Sequence, residues 1–190
     1  MYPNLVKHIL KFVSLNEDEI QILLKYIKPL SVKKKTNLLT EGQICKSLYF
    51  VEKGCMRLFF VDDKGVEQIT QFAIENWWMT DFMSFNTQSP SQFYIQPVEN
   101  SVLYVVEHHL REQLFTELPQ LERYFRLIIE KAYAATQIRI KYLYDFSKVE
   151  SFHHFSNLFP EFIQRIPQYM LASYLGFTPE YLSEIRKNRL

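Results

Sequence analysis

Residues 167–190 have the sequence PQYMLASYLGFTPEYLSEIRKNRL, in which one glycine separates two short helical segments. Pro167 suits the first position of a helix, where its missing N–H is not needed. Gly176 suits the end of this helix, because glycine adopts the left-handed conformation without strain. Thr178 is a favourable N-cap for a second helix with Pro179 at its first position. The apolar residues that should pack the two helices together are Met170, Leu171, Tyr174, Leu175, Tyr181, Leu182 and Ile185.

Two short helices joined by a tight glycine turn are typical of the helix-turn-helix, whose second helix enters the major groove of DNA. Cations at the far end of the second segment suit contacts with phosphates. In contrast, Glu180 and Glu184, one turn apart, would face the phosphates and oppose binding. An ordinary helical hairpin has the same capping pattern and remains an alternative. The candidate DNA-binding residues are Thr178, Glu180, Tyr181, Ser183, Glu184, Arg186, Lys187 and Arg189.

A long helix is predicted upstream of this motif, over residues 119–146. After Pro119, apolar residues recur every three or four positions for about three heptads, which is the spacing of a coiled-coil seam. We expect this helix to pair with its copy in a homodimer. Packing of the helix on the chain's own β domain is the alternative. The predicted seam comprises Leu121, Phe125, Ile128, Ala132, Ala135, Ile138 and Tyr142.

Residues 30–107 hold short runs rich in aromatic and β-branched residues: LYFVEKG, CMRLFFV, VEQITQFAI, QFYIQPV and SVLYVVE. The turn residues 62–65 separate two of these runs and predict a hairpin. Because no helical pattern lies between the runs, they favour an antiparallel roll or barrel. Residues 4–28 have helical spacing instead. There, Ser14 with Glu17 predicts a capping box for a second helix that ends at Pro29.

Composition excludes several classes of protein. Hydrophobic residues make up 47% of the 190 residues, enough for a packed core, and the net charge of +1 does not by itself indicate nucleic acid. The two cysteines, Cys45 and Cys55, provide neither a disulfide framework nor the four thiolates of an iron–sulfur cluster. No leader is evident and no apolar run approaches the ~20 residues of a membrane span. We therefore expect a cytoplasmic protein without membrane association.

The sequence also lacks the motifs of the common enzyme classes. Four glycines leave little room for phosphate-cradling loops, and neither G-x-S-x-G nor H-E-x-x-H occurs. Residues 30–107 contain no histidine, which argues against a metalloenzyme site inside a β-roll. The adjacent pairs at 108–109 and 153–154 have no third ligand at metal spacing. We expect neither an enzyme nor a metal site.

The order of these parts, more than any single motif, resembles the Crp–Fnr family of transcription regulators. The resemblance rests on LLTEGQ (38–43), LYFVEKG (48–54), the DDKG hairpin (62–65) and residues 166–187. It implies an α+β fold with an antiparallel β-roll, like the cyclic nucleotide-binding jelly roll, then a long dimerisation helix and a C-terminal helix-turn-helix domain. The implied domains are residues 1–118 for the sensor β-roll with its N-terminal helices, 119–146 for the dimerisation helix and 147–190 for DNA binding.

Two departures from the family pattern bear on DNA recognition. Where family members contact base edges with Arg-Glu and a later Arg, this sequence has Pro179, Glu180 and Glu184. Only Glu180 matches, and its carboxylate suits the amine of cytosine. The family's β-hairpin wing is missing because the sequence stops at Leu190, so we expect a truncated wing and fewer phosphate contacts. The resemblance therefore implies DNA binding with a different operator or weaker base readout.

A third departure concerns the ligand of the β-roll. In cyclic AMP-responsive relatives, a Gly-Glu pair and an Arg-Ser/Thr pair hold the ribose and the cyclic phosphate. Thr80–Asp81 and Ser91–Gln92 stand at those positions, and no Arg or Lys occurs between residues 64 and 111. Without a cation, a buried cyclic phosphate is poorly stabilised, so we expect cyclic AMP not to bind.

An effector pocket for some other molecule is the remaining hypothesis for the sensor. Its candidate residues are Trp78, Asp81, Phe82, Ser84, Phe85, Ser91, Gln92 and Phe93. Core filling is the alternative, with Asp81 and Ser84 capping a short helical turn. The β-roll thus either senses an unidentified small molecule or serves as a scaffold.

Together these patterns predict a homodimeric, DNA-binding transcription regulator without a cofactor. Double-stranded DNA is the expected partner, and RNA polymerase is a further candidate. The alternative function is a degenerate cyclic nucleotide-binding-like module that acts through protein partners without DNA readout.

Overall fold

A computed structural model describes residues 3–187. The first elements are two short helices, α1 (Asn4–Ile9) and α2 (Glu17–Tyr26). A capping box opens α2: Asn16 Oδ1 accepts from Glu19 N at 2.9 Å, and the Glu19 carboxylate accepts from Asn16 N at 2.7 Å. The predicted box at Ser14 is therefore wrong by two residues. The sequence SLNEDE contains the pattern twice, and its second copy stands directly before the helix.

Seven strands within residues 3–187 build two antiparallel sheets. The order in the first sheet is β1 (Ile27–Val32), β7 (Ser101–Glu107), β2 (Ser47–Lys53), β5 (Trp78–Met79). The order in the second is β4 (Glu67–Ala73), β3 (Met56–Val61), β6 (Tyr94–Pro97). A short helix, α3 (Phe82–Thr87), joins β5 to β6. The α+β fold with an antiparallel β-roll, predicted from the sequence, is confirmed.

Pro29 was expected to end α2 but lies inside β1, where it pairs with Tyr104. Because β1 is an edge strand, the missing N–H of a proline can face away from the ladder. The helix ends earlier, at Tyr26, and the chain passes directly into the strand.

The roll encloses one apolar core beneath α1 and α2, in which Phe50, Met56, Ile95 and Leu103 are fully buried. Both cysteines are free and buried. Burial raises the pKa of the Cys55 thiol to about 12, so this thiol is an apolar core group rather than a nucleophile.

Six helices follow the roll within the described part of the chain: α4 (His108–Glu117), α5 (Gln120–Asp145), α6 (Lys148–Leu158), α7 (Pro160–Arg165), α8 (Gln168–Leu175) and α9 (Pro179–Lys187). The break between α4 and α5 falls at Leu118–Pro119, because a proline disfavours helix in the residue before it. None of the helices in residues 3–187 has the length and apolar content needed to cross a membrane.

Candidate nucleic-acid interface

The turn between α8 and α9 has the geometry that its sequence predicts. Gly176 is left-handed (φ 74°), and Phe177 N donates to Ala172 O at 2.8 Å to close the end of α8. Thr178 Oγ1 accepts from Tyr181 N at 3.3 Å and caps α9. Pro167 is displaced from its predicted position: it is the N-cap of α8 (ψ 140°), not its first helical residue. The two helices form a helix-turn-helix.

Buried Leu182 and Ile185 anchor α9 to the protein, and its polar side chains point outward. Five of the candidate DNA-binding residues are exposed: Thr178, Glu180, Glu184, Arg186 and Lys187. Tyr181 and Ser183 are half-buried. Arg189 lies outside the described residues.

A further cation beside α9 was not predicted. Lys148, the first residue of α6, places its ammonium 5.2 Å from the centre of the Tyr181 ring. Ser147 and Glu150 form a capping box that fixes this end of α6. The sequence signals the cap, but it contains no signal that brings residue 148 next to residue 181.

The helix-turn-helix is docked on the β-roll through an edge strand. Ser173 Oγ accepts from Ile69 N at 2.9 Å and donates to Glu67 O at 2.7 Å, so one hydroxyl satisfies two backbone groups on the edge of β4. Around this contact, an apolar cluster joins the outer face of the second sheet to the C-terminal helices. On the β-roll, the cluster comprises Cys55, Phe59, Ile69, Phe72 and Val98; on the helices, it comprises Phe152, Phe162, Ile166, Met170, Leu171, Ala172, Leu182 and Ile185.

Arg165 forms an ion-pair clamp at the rim of this interface. Its guanidinium donates to both oxygens of Glu75, at 2.9 and 3.0 Å, and to Glu99 Oε1 at 2.5 Å. Burial raises the pKa of the Glu75 carboxyl, but hydrogen bonds from Arg165 and Gly54 N outweigh it and leave this pKa below its usual value. The hydrogen bonds to Glu75 raise the pKa of Arg165. The charge-assisted hydrogen bonds of Arg165 with Glu75 and Glu99 therefore join α7 to the β-roll.

A second arginine joins the long helix to the same interface. Arg139 of α5 donates to Tyr174 O at 3.0 Å and to Thr70 O, and its guanidinium lies 4.0 Å from the centre of the Tyr174 ring. Three elements, α5, β4 and α8, thus meet at one side chain. Neither arginine was predicted, because its partners are 35 or more residues away in sequence.

The predicted seam of α5 divides into two parts. Leu121 is buried and Phe125 and Ile128 are half-buried on the chain's own β-roll, as the alternative interpretation of this helix expects. Ala132, Ala135 and Ile138 are exposed, as a seam requires. The Tyr142 ring instead stacks on the Phe146 ring, with the two ring centres 4.5 Å apart. Large exposed apolar side chains on the same helix are Ile129, Tyr133, Ile138, Ile140, Leu143 and Tyr144.

The first half of α5 is fixed to the roll by a hydrogen-bonded chain. Trp78 Nε1 donates to the Tyr124 hydroxyl at 2.8 Å, and this hydroxyl lies 2.8 Å from His8 Nδ1. Burial, followed by the charges of Lys11 and Lys131, lowers the pKa of His8. A neutral imidazole can accept a hydrogen bond from the Tyr124 hydroxyl.

The polar residues of the predicted effector pocket are occupied with one another. Asp81 caps α3 by accepting from Met83 N and Ser84 N, and its other oxygen accepts from Ser91 Oγ at 2.7 Å. Ser84 Oγ accepts from Cys45 N and donates to Ser89 O. These contacts have the geometry that the alternative interpretation, helix capping, requires.

The aromatic residues of that predicted pocket diverge rather than converge. Trp78 packs on Phe125, Phe85 lies edge-on to His108, and Phe93 lies edge-on to Phe60. Phe82 and Gln92 are exposed. The structure therefore brings together Asp81, Ser84 and Ser91 but does not gather the rings around them.

Comparisons with known proteins agree with this architecture. Residues 29–117 match the family described as cyclic nucleotide-binding domain. The chain is 25% identical to the "Anaerobic regulatory protein" of Pasteurella multocida (strain Pm70), over 90% of this chain and 67% of that protein. It is also 25% identical to the "Fumarate and nitrate reduction regulatory protein" of Vibrio cholerae serotype O1, over 90% of this chain and 73% of that protein. Among solved structures, FixK2 from Bradyrhizobium japonicum has a similar fold (TM-score 0.71, 15% identity, 85% of this chain and 83% of that chain).

The chain thus combines a β-roll of the cyclic nucleotide-binding type with a long helix and a helix-turn-helix. Both relatives, matched over 90% of this chain, are named as regulatory proteins. These similarities agree with the resemblance to the Crp–Fnr family that the sequence carries.

Proposed function

We propose that this regulator binds double-stranded DNA as a homodimer, with α9 of each copy in the major groove. The observation that carries the proposal is the orientation of α9: Leu182 and Ile185 hold it to the protein, and Glu180, Glu184 and Lys187 form its outer face. A capped helix held from one side and polar on the other can enter the groove without unfolding.

Base readout in this proposal centres on Glu180, at the start of α9. Its carboxylate is exposed and is suited to accept from a cytosine amine, whereas Lys187 at the far end suits a phosphate. Thr178, Tyr181, Ser183, Glu184 and Arg186 complete the contacts that we assign to DNA. Glu184 faces outward, and its negative charge disfavours a nearby phosphate. We therefore expect α9 to make fewer DNA contacts than its length would allow.

Homodimerisation is assigned to the exposed second half of α5. Ile140, Leu143 and Tyr144 are exposed to 50, 65 and 87%, and Ala132 on the preceding turns permits close approach of a second helix. Pairing of two such helices would fix the separation of two α9 helices on a pseudo-palindromic site.

The β-roll is proposed not to bind cyclic AMP. Asp81 and Ser91, at two of the positions that hold the ligand in responsive relatives, are hydrogen-bonded to each other and to backbone. No Arg or Lys occurs between residues 64 and 111 to neutralise a phosphate. Isothermal calorimetry tests this directly, and an affinity in the micromolar range, about −8 kcal/mol, would contradict it.

The deciding experiment is selection from a random double-stranded DNA library at fixed, near-physiological salt. An enriched palindrome with half-sites about one helical turn apart would support the dimeric regulator. Glu180→Gln should then change the preferred bases, and Lys187→Gln should weaken binding to all sequences alike. Glu161→Gln, on α7, should have neither effect. Absence of any enriched sequence would favour a module that acts through protein partners, for which the outward carboxylates Glu180 and Glu184 are the supporting observation.

We place the regulator in the cytoplasm, where its operator and RNA polymerase are found. Transcription in vitro from a promoter that carries the enriched site, with and without the protein, tests whether the polymerase responds.

A further inference from the structure

Three side chains from α1, β5 and α5 form a hydrogen-bonded chain that has no part in the function proposed above. Trp78 Nε1 donates to the Tyr124 hydroxyl at 2.8 Å, and His8 Nδ1 lies 2.8 Å from the same oxygen. Because an indole N–H can only donate, the hydroxyl must accept from Trp78. Its own proton then points to His8, and a neutral imidazole with its hydrogen on Nε2 accepts that hydrogen bond through Nδ1.

The shared hydroxyl is enclosed by the protein. Tyr124 is fully buried and His8 is half-buried. Burial raises the pKa of Tyr124, so the phenol stays protonated. The rings of Phe12 and Phe50, with centres 5.2 and 5.7 Å from that of His8, are apolar. Among the described residues, the Tyr124 hydroxyl has no hydrogen-bond partner besides Trp78 and His8, so the bond that it donates depends on a neutral imidazole.

The charges around His8 disfavour its protonated form. Burial, followed by the charges of Lys11 in the turn after α1 and Lys131 of α5, lowers the pKa of this imidazole. On β2, the strand that α1 packs on, the Glu52 carboxylate accepts instead from Asn4 N at 3.0 Å, one turn before His8. No acid in the described part of the chain forms an ion pair with His8. An imidazolium at this place would therefore have two cations nearby and no counterion.

We infer that His8, Tyr124 and Trp78 form a proton-sensitive latch, which holds α1 and the first half of α5 on the β-roll and opens when His8 is protonated. An imidazolium has a hydrogen on both nitrogens, so Nδ1 turns from acceptor to donor. The Tyr124 proton then loses its acceptor in a buried place, which is costly. Opening of the latch gives the imidazolium access to water and removes this cost. The closed latch therefore weakens as the pH falls below the ordinary pKa of histidine, about 6.5.

In the proposed regulator, the latch makes DNA binding sensitive to acid. Helix α5 is continuous from Gln120 to Asp145, so its first half, when released from the β-roll, no longer fixes the direction of its second half. The second half is the part that we assign to dimerisation, and the pairing of two such helices sets the separation of the two α9 helices. This consequence rests on the proposed function, whereas the latch itself does not.

Hydrogen–deuterium exchange of the full chain, followed in α1 and in the first half of α5, tests the latch. Exchange is measured at about pH 7.5 and about pH 5, on either side of the ordinary pKa of histidine. Three variants are compared with the native protein at the same pH, so that the intrinsic pH dependence of exchange cancels. His8→Asn offers an amide oxygen that accepts a hydrogen bond and does not titrate, and Tyr124→Phe removes the hydroxyl. The matched control is His109→Gln, because His109 is exposed on α4 and lies outside the latch.

At about pH 7.5 we expect native exchange rates in His8→Asn and His109→Gln, and roughly two- to tenfold faster exchange in Tyr124→Phe, which lacks the hydrogen bonds. At about pH 5 the native protein and the control should exchange about three- to thirtyfold faster than His8→Asn. The upper figure is the protonated-to-neutral ratio of a histidine with its ordinary pKa. Equal rates in the native protein and His8→Asn at about pH 5 would overturn the inference. Loss of the acid response in His109→Gln, or native rates in Tyr124→Phe at about pH 7.5, would do the same.

Fluorescence anisotropy with the operator obtained by selection then measures the consequence for DNA. The native protein should bind roughly tenfold more weakly than His8→Asn at about pH 5 and equally well at about pH 7.5. Equal affinities of the two proteins at both pH values would overturn the inferred control of DNA binding and leave the proposed function intact. Absence of binding at either pH, with the exchange pattern expected above, would support the latch and contradict the proposed function.

Discussion

Gly54 offers a sharp test of how the β-roll supports the helix-turn-helix, through the substitution Gly54→Ala. This glycine lies between β2 and β3 with φ +113°, and a Cβ there would stand 2.2 Å from Ser101 Oγ and 2.9 Å from Ser101 Cα. The backbone approach cannot be relieved by a side-chain rotation. Gly54 N also donates to Glu75 Oε1 at 2.8 Å, and Ser101 Oγ donates to Glu99 O. The contact is therefore bonded to the carboxylate of Glu75 and to the backbone of Glu99, the two residues that pair with Arg165.

The cost of Gly54→Ala has two parts. A residue with a side chain in this region of φ costs about 1–3 kcal/mol, and overpacking against Ser101 costs about another 1–3 kcal/mol. Reduced freedom of the unfolded chain returns about 0.4–1 kcal/mol. We expect the free energy of unfolding to fall by about 2–5 kcal/mol, a large part of the stability of an ordinary domain.

Gly42→Ala is the matched control, because Gly42 is also left-handed (φ +83°) but has nothing within 4 Å of an added Cβ. Only the conformational cost of about 1–2 kcal/mol applies there. Urea unfolding followed by circular dichroism measures both variants. Equal losses in the two variants, or a loss under about 1 kcal/mol for Gly54→Ala, would refute the role assigned to the close approach.

Three further predictions concern the interface, the dimer and pH. Arg165→Met should lower the free energy of unfolding by about 1–2 kcal/mol at neutral pH, because two partly exposed carboxylates lose their shared cation. The loss should shrink near pH 3 where carboxylates protonate; a pH-independent loss would point to packing instead. Ile140→Glu should convert the dimer to a monomer in sedimentation velocity, whereas Leu158→Glu, on an exposed position of α6, should not. Because burial lowers the pKa of His8, the unfolded chain takes up a proton below about pH 6.5 that the folded chain does not. Stability should therefore decline from there down to the folded pKa, and His8→Asn should flatten the decline measured by urea unfolding.

Local signals explain why so much of the fold was predictable. Gly176 and Thr178 define the turn of the helix-turn-helix through their own backbone preferences, which need no information from elsewhere in the chain. The β runs are likewise visible as aromatic and β-branched clusters between turns. Errors of a residue or two arose where two local signals competed, as at Ser14 and Asn16.

The contacts that assemble the molecule were not predictable for the same reason. Ser173 meets Ile69 across 104 positions and Arg165 meets Glu75 across 90. Neither residue type is unusual for its helix, so nothing in its neighbourhood marks it. The periodicity of α5 was similarly ambiguous: Leu121 and Ala132 share the spacing of one seam, but the first packs on the β-roll and the second is exposed. The spacing of apolar residues identifies the apolar face of a helix but not the element that packs on this face.

These long-range contacts give the β-roll a structural role as the support of the helix-turn-helix. The outer face of its second sheet presents Phe59, Ile69 and Phe72, which the helix-turn-helix covers, and the free edge of β4 is satisfied by Ser173. An uncovered sheet edge and apolar face would favour aggregation, so the roll and the motif stabilise each other. Because Leu182 and Ile185 of α9 belong to the same buried cluster as Ile69, the strand β4 and the helices α8 and α9 share one packing interface. In the proposed regulator, a ligand would change DNA binding without reaching the interior of the roll. It needs only a different affinity for two positions of this strand.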